Sequence, residues 1–385
     1  MPVLFDYLES ELATFDQKPF CPLDSAVLSQ ACLIDGAGVV PMVPSEPDHA
    51  FARLGVLLAG RSPSARFADL MRTERFATMF VGLVPGDLKR CLFLLASSPR
   101  YRDLELCHYR SVFDEASHTQ FCAMAFVWRD EFAYVGFRGT DASFTGWRED
   151  LDMAYKPRVR SQDLACSYLE EVADLLPSRL HVGGHSKGGN LALFAALSCS
   201  DRVRARIERI WCHDAPGFLP GTFTDEDYVR LGGRVHRTVP QDSIVGMMLD
   251  CPIEPRVVES RASGILQHDV FSWEVDGDDF RYRDGLGDMS AVLHDVAAEW
   301  LASVDDERLE RIMEAVSKAV VASGARDARE ILEGREQSLR RVVEVAHKLD
   351  PDSRDLLGQA IGDIANLVAK RLGRDVAAAV LKLWE

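Results

Sequence analysis

The stretch that most constrains this chain runs Leu180-His181-Val182-Gly183-Gly184-His185-Ser186-Lys187-Gly188-Gly189-Asn190-Leu191-Ala192-Leu193-Phe194. A short apolar run meets a glycine-rich turn that contains G-x-S-x-G, and an apolar helical pattern follows at once. That order predicts a nucleophile elbow, a serine on a sharp strand-to-helix turn. Small residues are needed two positions before and two after it, so that strand and helix can approach. Gly184 and Gly188 meet the demand. The following helix aims its N-terminal dipole at Ser186, and the main-chain N–H of Lys187 becomes one donor for an oxyanion. The Lys187 side chain is expected to be solvated, or else to bring a positive charge to the mouth of the site. A Walker loop is excluded by order: it needs G-x-x-x-x-G-K-[ST], whereas Lys187 follows a serine and precedes two glycines, so no hydroxyl is placed for magnesium.

Around the elbow, short apolar runs alternate with amphipathic stretches. Leu180 to Val182, Arg209 to Cys212, Val235 to Val239 and Arg256 to Val258 read as buried strands. Gln162 to Leu176, Asn190 to Leu197 and Asp225 to Leu231 read as helices between them. Strands alternating with helices predict an α/β fold with a largely parallel sheet covered on both faces. Upstream, Phe121 to Val127 alternates, Arg129-Asp130 can turn, and Phe132 to Phe137 is apolar and aromatic, which predicts a β-hairpin. From about Asp24 to Arg100 the apolar residues recur at helical spacing, as in Leu23, Val27, Leu28 and Phe67, Leu70, Met71, with a Gly/Pro-rich loop over Gly36 to Pro47. From Ser290 onward Leu309, Ile312, Met313, Val316, then Leu339, Val342, Val343, Ala346, then Ile361, Ile364, Leu367, Val368 predict three or more amphipathic helices. Their mixed charges lack the basic stripe of a membrane-surface helix, so they are expected to pack on the body or on a second copy of the chain.

Composition narrows the function. With 385 residues and a formal charge of −16, the chain repels phosphate backbones, and nucleic acid is not an expected partner. Its nine cysteines never stand at C-x-x-C spacing, so neither a zinc knuckle nor a disulfide framework is predicted. They read as small buried hydrophobes. Acids near the N-terminus replace the basic region of a signal peptide, and the apolar run Phe76 to Val84 is too short to span a bilayer. The expected location is the cytoplasm, without stable membrane insertion.

An elbow serine needs a base oriented by an acid. Of the histidines after it, His236 lies in an apparent strand, while His294 and His347 lie on helical patterns. His213 stands at a strand end, before most acid candidates. His268 sits in a loop between the Arg256 strand and an aromatic segment, where a base belongs. For the acid, Asp242 follows directly on the Val235 strand, at the carboxyl end where open α/β sheets keep their sites. Asp242 is the first choice, with a helix N-cap as its other reading. Asp214, after the preceding strand, is the competitor. The second oxyanion donor is expected in Phe137-Arg138-Gly139-Thr140-Asp141, where Gly139 lets the backbone approach and Thr140 offers an N–H and a hydroxyl, a capping role being the other reading. No metal and no organic cofactor is needed for this chemistry.

Together these segments resemble a known family. Phe137-Arg138-Gly139-Thr140, Trp147-Arg148-Glu149-Asp150-Leu151 and the Gly-His-Ser-x-Gly-Gly elbow are similar to the class 3, fungal-type lipases. The match is nearest to their bacterial Mbeg-like branch, with its Phe-Asp-Tyr-Leu start at Phe5 to Leu8 and its segments Pro240 to Gly246 and Gln267 to Trp273. The resemblance covers roughly residues 1 to 290. It implies a lipase-like α/β-hydrolase domain over 1–290, including a helical N-terminal segment over 1–105, followed by a C-terminal helical region over 291–385. It further implies a triad of Ser186, Asp242 and His268 with Thr140 and Lys187 at the oxyanion hole, acting on a small-molecule ester or lipid. The short spacing from Asp242 to His268 leaves little chain for an extended lid, and the family resemblance does not fix long-chain triglyceride as substrate. Thioesterase and amidase chemistry use the same machinery, and a non-catalytic lipid- or protein-binding scaffold is the alternative from another class.

Overall fold

A computed structural model of the chain describes residues 1–44, 55, 58, 62–325, 327–333, 335–382 and 384. The predicted hairpin is present as β2 (Thr119–Trp128) and β3 (Phe132–Phe137), turning through Arg129 at φ +48°. It is preceded by β1 (Glu105–Asp114), which the sequence did not suggest. Its alternation is broken by a register shift between Cys107 and Arg110, where His108 takes φ +55°, so period-two reading fails across it. The four predicted buried strands follow as β4 (Leu180–His185), β5 (Ile207–His213), β6 (Val235–Pro240) and β7 (Arg256–Val258). A small hairpin of β8 (Val275–Asp276) and β9 (Asp279–Phe280) leads to β10 (Tyr282–Arg283).

The main sheet runs β1-β2-β3-β4-β5-β6-β7-β10. From β3 to β7 all pairings are parallel, and the strands on either side are antiparallel. The fold is therefore mixed α/β with a parallel centre. Register decides what the centre brings together. Phe137 pairs with Gly184, His185 with His213, and His213 with Thr238. The carboxyl ends of β3, β4, β5 and β6 are thus level, and the residues just beyond them emerge side by side.

Both faces of the sheet are buried, which is why its central strands read as unbroken apolar runs. One face packs on the helices Arg160–Ala173 and Lys187–Ser198, through residues such as Val135, Val182, Tyr168 and Leu191. The other packs on the N-terminal segment, where the helices Leu4–Ser10, Pro22–Ala31 and Pro85–Ser97 share one core with Phe126, Tyr134, Trp211 and Trp273. The spacing at Phe67, Leu70 and Met71 yields a single 3-10 turn, Phe67–Leu70, rather than an α-helix. Of the expected loop over Gly36 to Pro47, positions 45–47 lie outside the described residues.

The C-terminal expectation of several helices holds: Asp288–Ser303, Asp306–Ala322, Ala328–Glu333, Arg335–Ala346, Pro351–Leu372 and Arg374–Lys382. Leu309, Ile312, Leu367 and Val368 of the predicted stripes join a separate core with Trp300 and Tyr155, while the side chain of Leu339 is not among those described. Among the described residues, no helix is long and apolar enough to cross a membrane.

Candidate active site

β4 ends at His185, and Ser186 turns the chain into the helix Lys187–Ser198 with φ +57° and ψ −132°. A non-glycine residue there is strained, and strain of this kind persists only where the surroundings over-determine it. The surroundings are glycines: a Cβ on Gly184 would run into the Gly188 backbone, and one on Gly188 into the Phe137 carbonyl. The Ser186 N–H donates to the His213 carbonyl (2.9 Å), tying the elbow to β5.

The segment after β3 lies against this turn. A Cβ on Gly139 would stand 2.7 Å from the His185 carbonyl oxygen and 3.6 Å from the Ser186 Cβ. Thr140, the next residue, donates its hydroxyl to both carboxylate oxygens of Asp150 (2.8 and 2.6 Å). Burial pushes Asp150 up to about 6, opposed by the Lys187 charge and the Thr140 hydroxyl. The Thr140 hydroxyl is thus committed to Asp150. Lys187, as the first residue of its helix, has an N–H with no intrahelical acceptor.

His268 reaches the site from a short turn, Gly264–His268. Its ring lies 4.4 Å from that of His185, the residue before Ser186, and the His185 Nε2–H donates to the His268 carbonyl (2.8 Å). Burial, then the neighbouring His268 and His213, hold His185 well below the usual histidine range, so its Nε2–H belongs to a neutral ring. Buried Trp273 closes the turn by donating its indole N–H to the Gln267 carbonyl (2.7 Å). Phe5, from the N-terminal motif, stacks on Phe271 at 4.5 Å.

The carboxylate that meets His268 is that of Asp214. His268 Nδ1 donates to Asp214 Oδ2 at 2.6 Å. Asp214 is 1% exposed, and its other oxygen accepts from the Ser243 hydroxyl (2.5 Å) and the Gly246 N–H (3.0 Å). Gly246 must be glycine for this approach, since a Cβ there would collide with that same oxygen. Asp214 takes φ +44°, a second strained position beside the first.

Asp242, the first choice from sequence, is placed elsewhere, and the competitor Asp214 takes its position. Asp242 bonds Gln267 twice: its N–H donates to Gln267 Oε1 (3.0 Å) and its carboxylate accepts from Gln267 Nε2 (2.6 Å). The reason lies in the strand order. β5 neighbours β4 directly, so the residue after its last pair with His185 emerges beside Ser186, whereas Asp242 lies beyond β6, one strand further out. Within the segment Pro240 to Gly246, Ser243 and Gly246 are the residues that bond the Asp214 carboxylate.

Lys187 also departs from expectation. Its side chain is 1% exposed, and Nζ donates to Glu149 Oε2 (2.9 Å), the Gln120 carbonyl (2.9 Å) and Gln120 Oε1 (2.8 Å). Neither solvent nor the mouth receives this charge, because the helix that starts at Phe144 presents a buried carboxylate to it. Asp150 and Glu149 were in view as part of a family motif, with no role assigned. Only the pairing of neighbouring strands could have shown their use. A cavity of about 560 Å³ lined by Arg237, Met247 and His294 lies beside the 243–251 loop, and neither Ser186 nor His268 lines it. Among the described residues, no cluster of His, Cys, Asp and Glu is arranged to hold a metal ion.

Comparison with known proteins adds three findings. The family model described as Mbeg1-like matches residues 95–318. No curated protein matches the chain. Among solved structures, that of the native Rhizomucor miehei lipase propeptide complex is similar at 18% identity with a TM-score of 0.32, the match covering 50% of this chain and 66% of that one, just under two thirds of its length.

Proposed function

The chain belongs to the Mbeg1-like family, and we propose that it is a serine hydrolase of lipase-like α/β-hydrolase fold, cleaving carboxylic esters through Ser186, His268 and Asp214. The observation that carries the reading is a histidine whose Nδ1 is held 2.6 Å from a buried carboxylate, its ring 4.4 Å from that of the residue that precedes a serine strained at φ +57°.

In this reading the Ser186 hydroxyl attacks the ester carbonyl as His268 Nε2 takes its proton. Asp214 fixes the tautomer and stabilises the imidazolium that forms. The N–H groups of Thr140 and Lys187 receive the tetrahedral oxyanion. The imidazolium returns its proton to the departing alcohol, leaving an acyl-serine, and a water activated by His268 then releases the acid. Ile265 and Leu266, 48% and 49% exposed just ahead of His268, and Ile244 and Met248, each 37% exposed on the loop that holds Asp214, give the rim an apolar character suited to an acyl chain.

The test is hydrolysis of p-nitrophenyl esters from acetate to palmitate, with fluorophosphonate labelling in parallel. Ser186→Ala should abolish both signals. Asp214→Asn should lower kcat on the order of 10⁴-fold, while Asp242→Asn, which removes one partner of Gln267, stays within about tenfold of wild type. A reversed ranking of the two aspartates would return the acid role to Asp242. A wild-type chain that neither hydrolyses nor labels would move the reading to a non-catalytic scaffold.

A further inference from the structure

The two residues that carry the oxyanion donors are held by consecutive acids on one turn of one helix. In Phe144–Asp152, Asp150 takes the hydroxyl of Thr140, and its neighbour Glu149 takes the ammonium of Lys187. Glu149 is 2% exposed and accepts two more bonds, from the N–H of Gln120 (3.1 Å) and of Ser161 (3.2 Å). The three protons of Lys187 Nζ meet three acceptors, two of them on Gln120 at the start of β2. Four elements therefore converge on this pair: the elbow helix, the helix after β3, β2, and the helix that begins at Arg160.

Burying a lysine and a glutamate sacrifices the hydration of both, and a well-packed apolar pair of the same volume would fill the space at least as well for stability alone. What an apolar pair cannot supply is direction. The Lys187 side chain leaves from the same Cα as the N–H that faces the oxyanion, so anchoring Nζ at three points restrains where that N–H points.

Resting on the serine-hydrolase reading above, we infer that Glu149 and Lys187 form an internal strut that sets the oxyanion hole. Glu149 is a positioning residue, and the Lys187 charge serves the elbow rather than the substrate. The strut also bears on Asp150. The groups around that carboxyl are Lys187 from the elbow helix, Glu149 beside it, Thr140 from the loop after β3, and His268 from the opposite loop. Lys187 opposes its protonation, so removing Lys187 raises the pH at which the Thr140 anchor is protonated.

The test compares Lys187→Met, Glu149→Gln and the double variant with wild type. The readouts are p-nitrophenyl butyrate hydrolysis, the rate of fluorophosphonate labelling, and Tm. Each single variant should lower kcat on the order of 100-fold with KM within about threefold, and labelling should slow in parallel, since the hole must also accept the phosphoryl oxygen. In Lys187→Met the acid limb of the kcat/KM profile should move to higher pH. The double variant, with no charge left unpaired, should regain Tm and stay slow. Recovery of kcat together with Tm in the double variant would reduce the pair to a structural role and overturn the inference. So would folded single variants with wild-type kcat. If Lys187→Met does not fold, the near-isosteric Glu149→Gln and the double variant carry the same decision. Failure of the serine-hydrolase reading is distinguishable, because then the wild type itself neither hydrolyses nor labels.

Discussion

The two helical regions that flank the sheet are attached in opposite ways. Among the described residues, the N-terminal segment has no core of its own: most of its buried apolar residues, from Leu4 to Leu95, belong to the same cluster as Phe126, Tyr134 and Trp211 of the sheet. The C-terminal helices form a core largely by themselves, and Tyr155, which follows the helix Phe144–Asp152, is the residue of the body that joins it. They also meet the body through hydrogen bonds to the segment after β3 and to the loop after β6. The Ala328 N–H donates to the Ala142 carbonyl (2.9 Å) and Arg148 to the Met313 carbonyl (3.1 Å) on the Thr140 side. On the Asp214 side, Ser290 donates to the Ser243 carbonyl and the Gly287 N–H to that of Gln241 (2.7 Å). One region shares the core of the sheet, and the other is joined to it through hydrogen bonds beside the candidate site.

The sharpest way to break this contrast is at Asp24. It is fully buried with Arg100, whose guanidinium donates to both its oxygens (2.7 and 2.6 Å), and it also accepts from Tyr7 (3.0 Å), Tyr101 (2.6 Å) and the Cys21 N–H (2.8 Å). Asp24→Ala leaves a guanidinium buried without its counter-charge, which costs about 3 to 5 kcal/mol. If the N-terminal segment is integral, urea unfolding of this variant remains a single transition at a much lower midpoint. A separate early transition that leaves the sheet intact would show instead that the segment is a detachable layer.

Next in size is a pH effect centred on the same interface, to which His185 and His236, also lowered by burial, add in the same sense. His213 is fully buried between the Ser25 hydroxyl of the N-terminal segment (3.0 Å) and the Thr238 hydroxyl (2.8 Å), and burial lowers it to about 3. His181, 4% exposed, stacks on Phe20 at 4.6 Å, and burial lowers it to about 4. Both are neutral when folded, and when unfolded they gain a proton near their ordinary value of about 6.5. The unfolded state thus binds more protons below that pH, so stability is fully present above it and falls as the medium is acidified. Between pH 7 and 5 each histidine removes about 2 kcal/mol. Asp150 and Asp269, both raised to about 6 by burial, act in the opposite sense over this window and offset part of the loss. Urea midpoints at pH 7 and 5 should therefore fall, and Phe20→Ala, which opens the His181 side, should flatten the dependence. A midpoint that does not move with pH would remove these histidines from the account.

This difference in attachment also explains what could be read from the sequence. Strands β4 to β7 and the helices between them stood out because burial on both faces leaves unbroken apolar runs, and Ser186, Gly184 and Gly188 stood out because the elbow tolerates little else. That His268 stands on a loop is legible. Which aspartate it meets is not, because Asp214 and Asp242 both stand just beyond a strand, and the outcome depends on which strand neighbours β4. That is a property of sheet order, which no local pattern carries. Lys187 was misjudged for a related reason: a lysine beside a serine reads as solvated unless its carboxylate partner, thirty-eight positions away in Glu149, is known to face it. β1 was hidden by its own bulge at His108.

The smallest expected effect tests the other half of the comparison. Deleting residues 287–385 removes the C-terminal core, together with the bonds that reach Ala142, Arg148, Gln241 and Ser243. Each lost bond is worth about 1 kcal/mol, and the two loops they hold carry Thr140 and the Ser243–Gly246 support of Asp214. The truncated chain should therefore keep a cooperative transition from the sheet and its N-terminal layer. Its ester turnover should fall by about tenfold, a barrier increase near 1.4 kcal/mol, with KM changing less than kcat. Because Tyr155 and its neighbours become exposed, Tm should drop by several degrees, yet by less than in Asp24→Ala. Loss of the sheet transition altogether would make the C-terminal helices as integral as the N-terminal segment. Unchanged turnover would mean that the two loops hold their shape without them, and the helices would then be a neighbour of the site rather than part of its support.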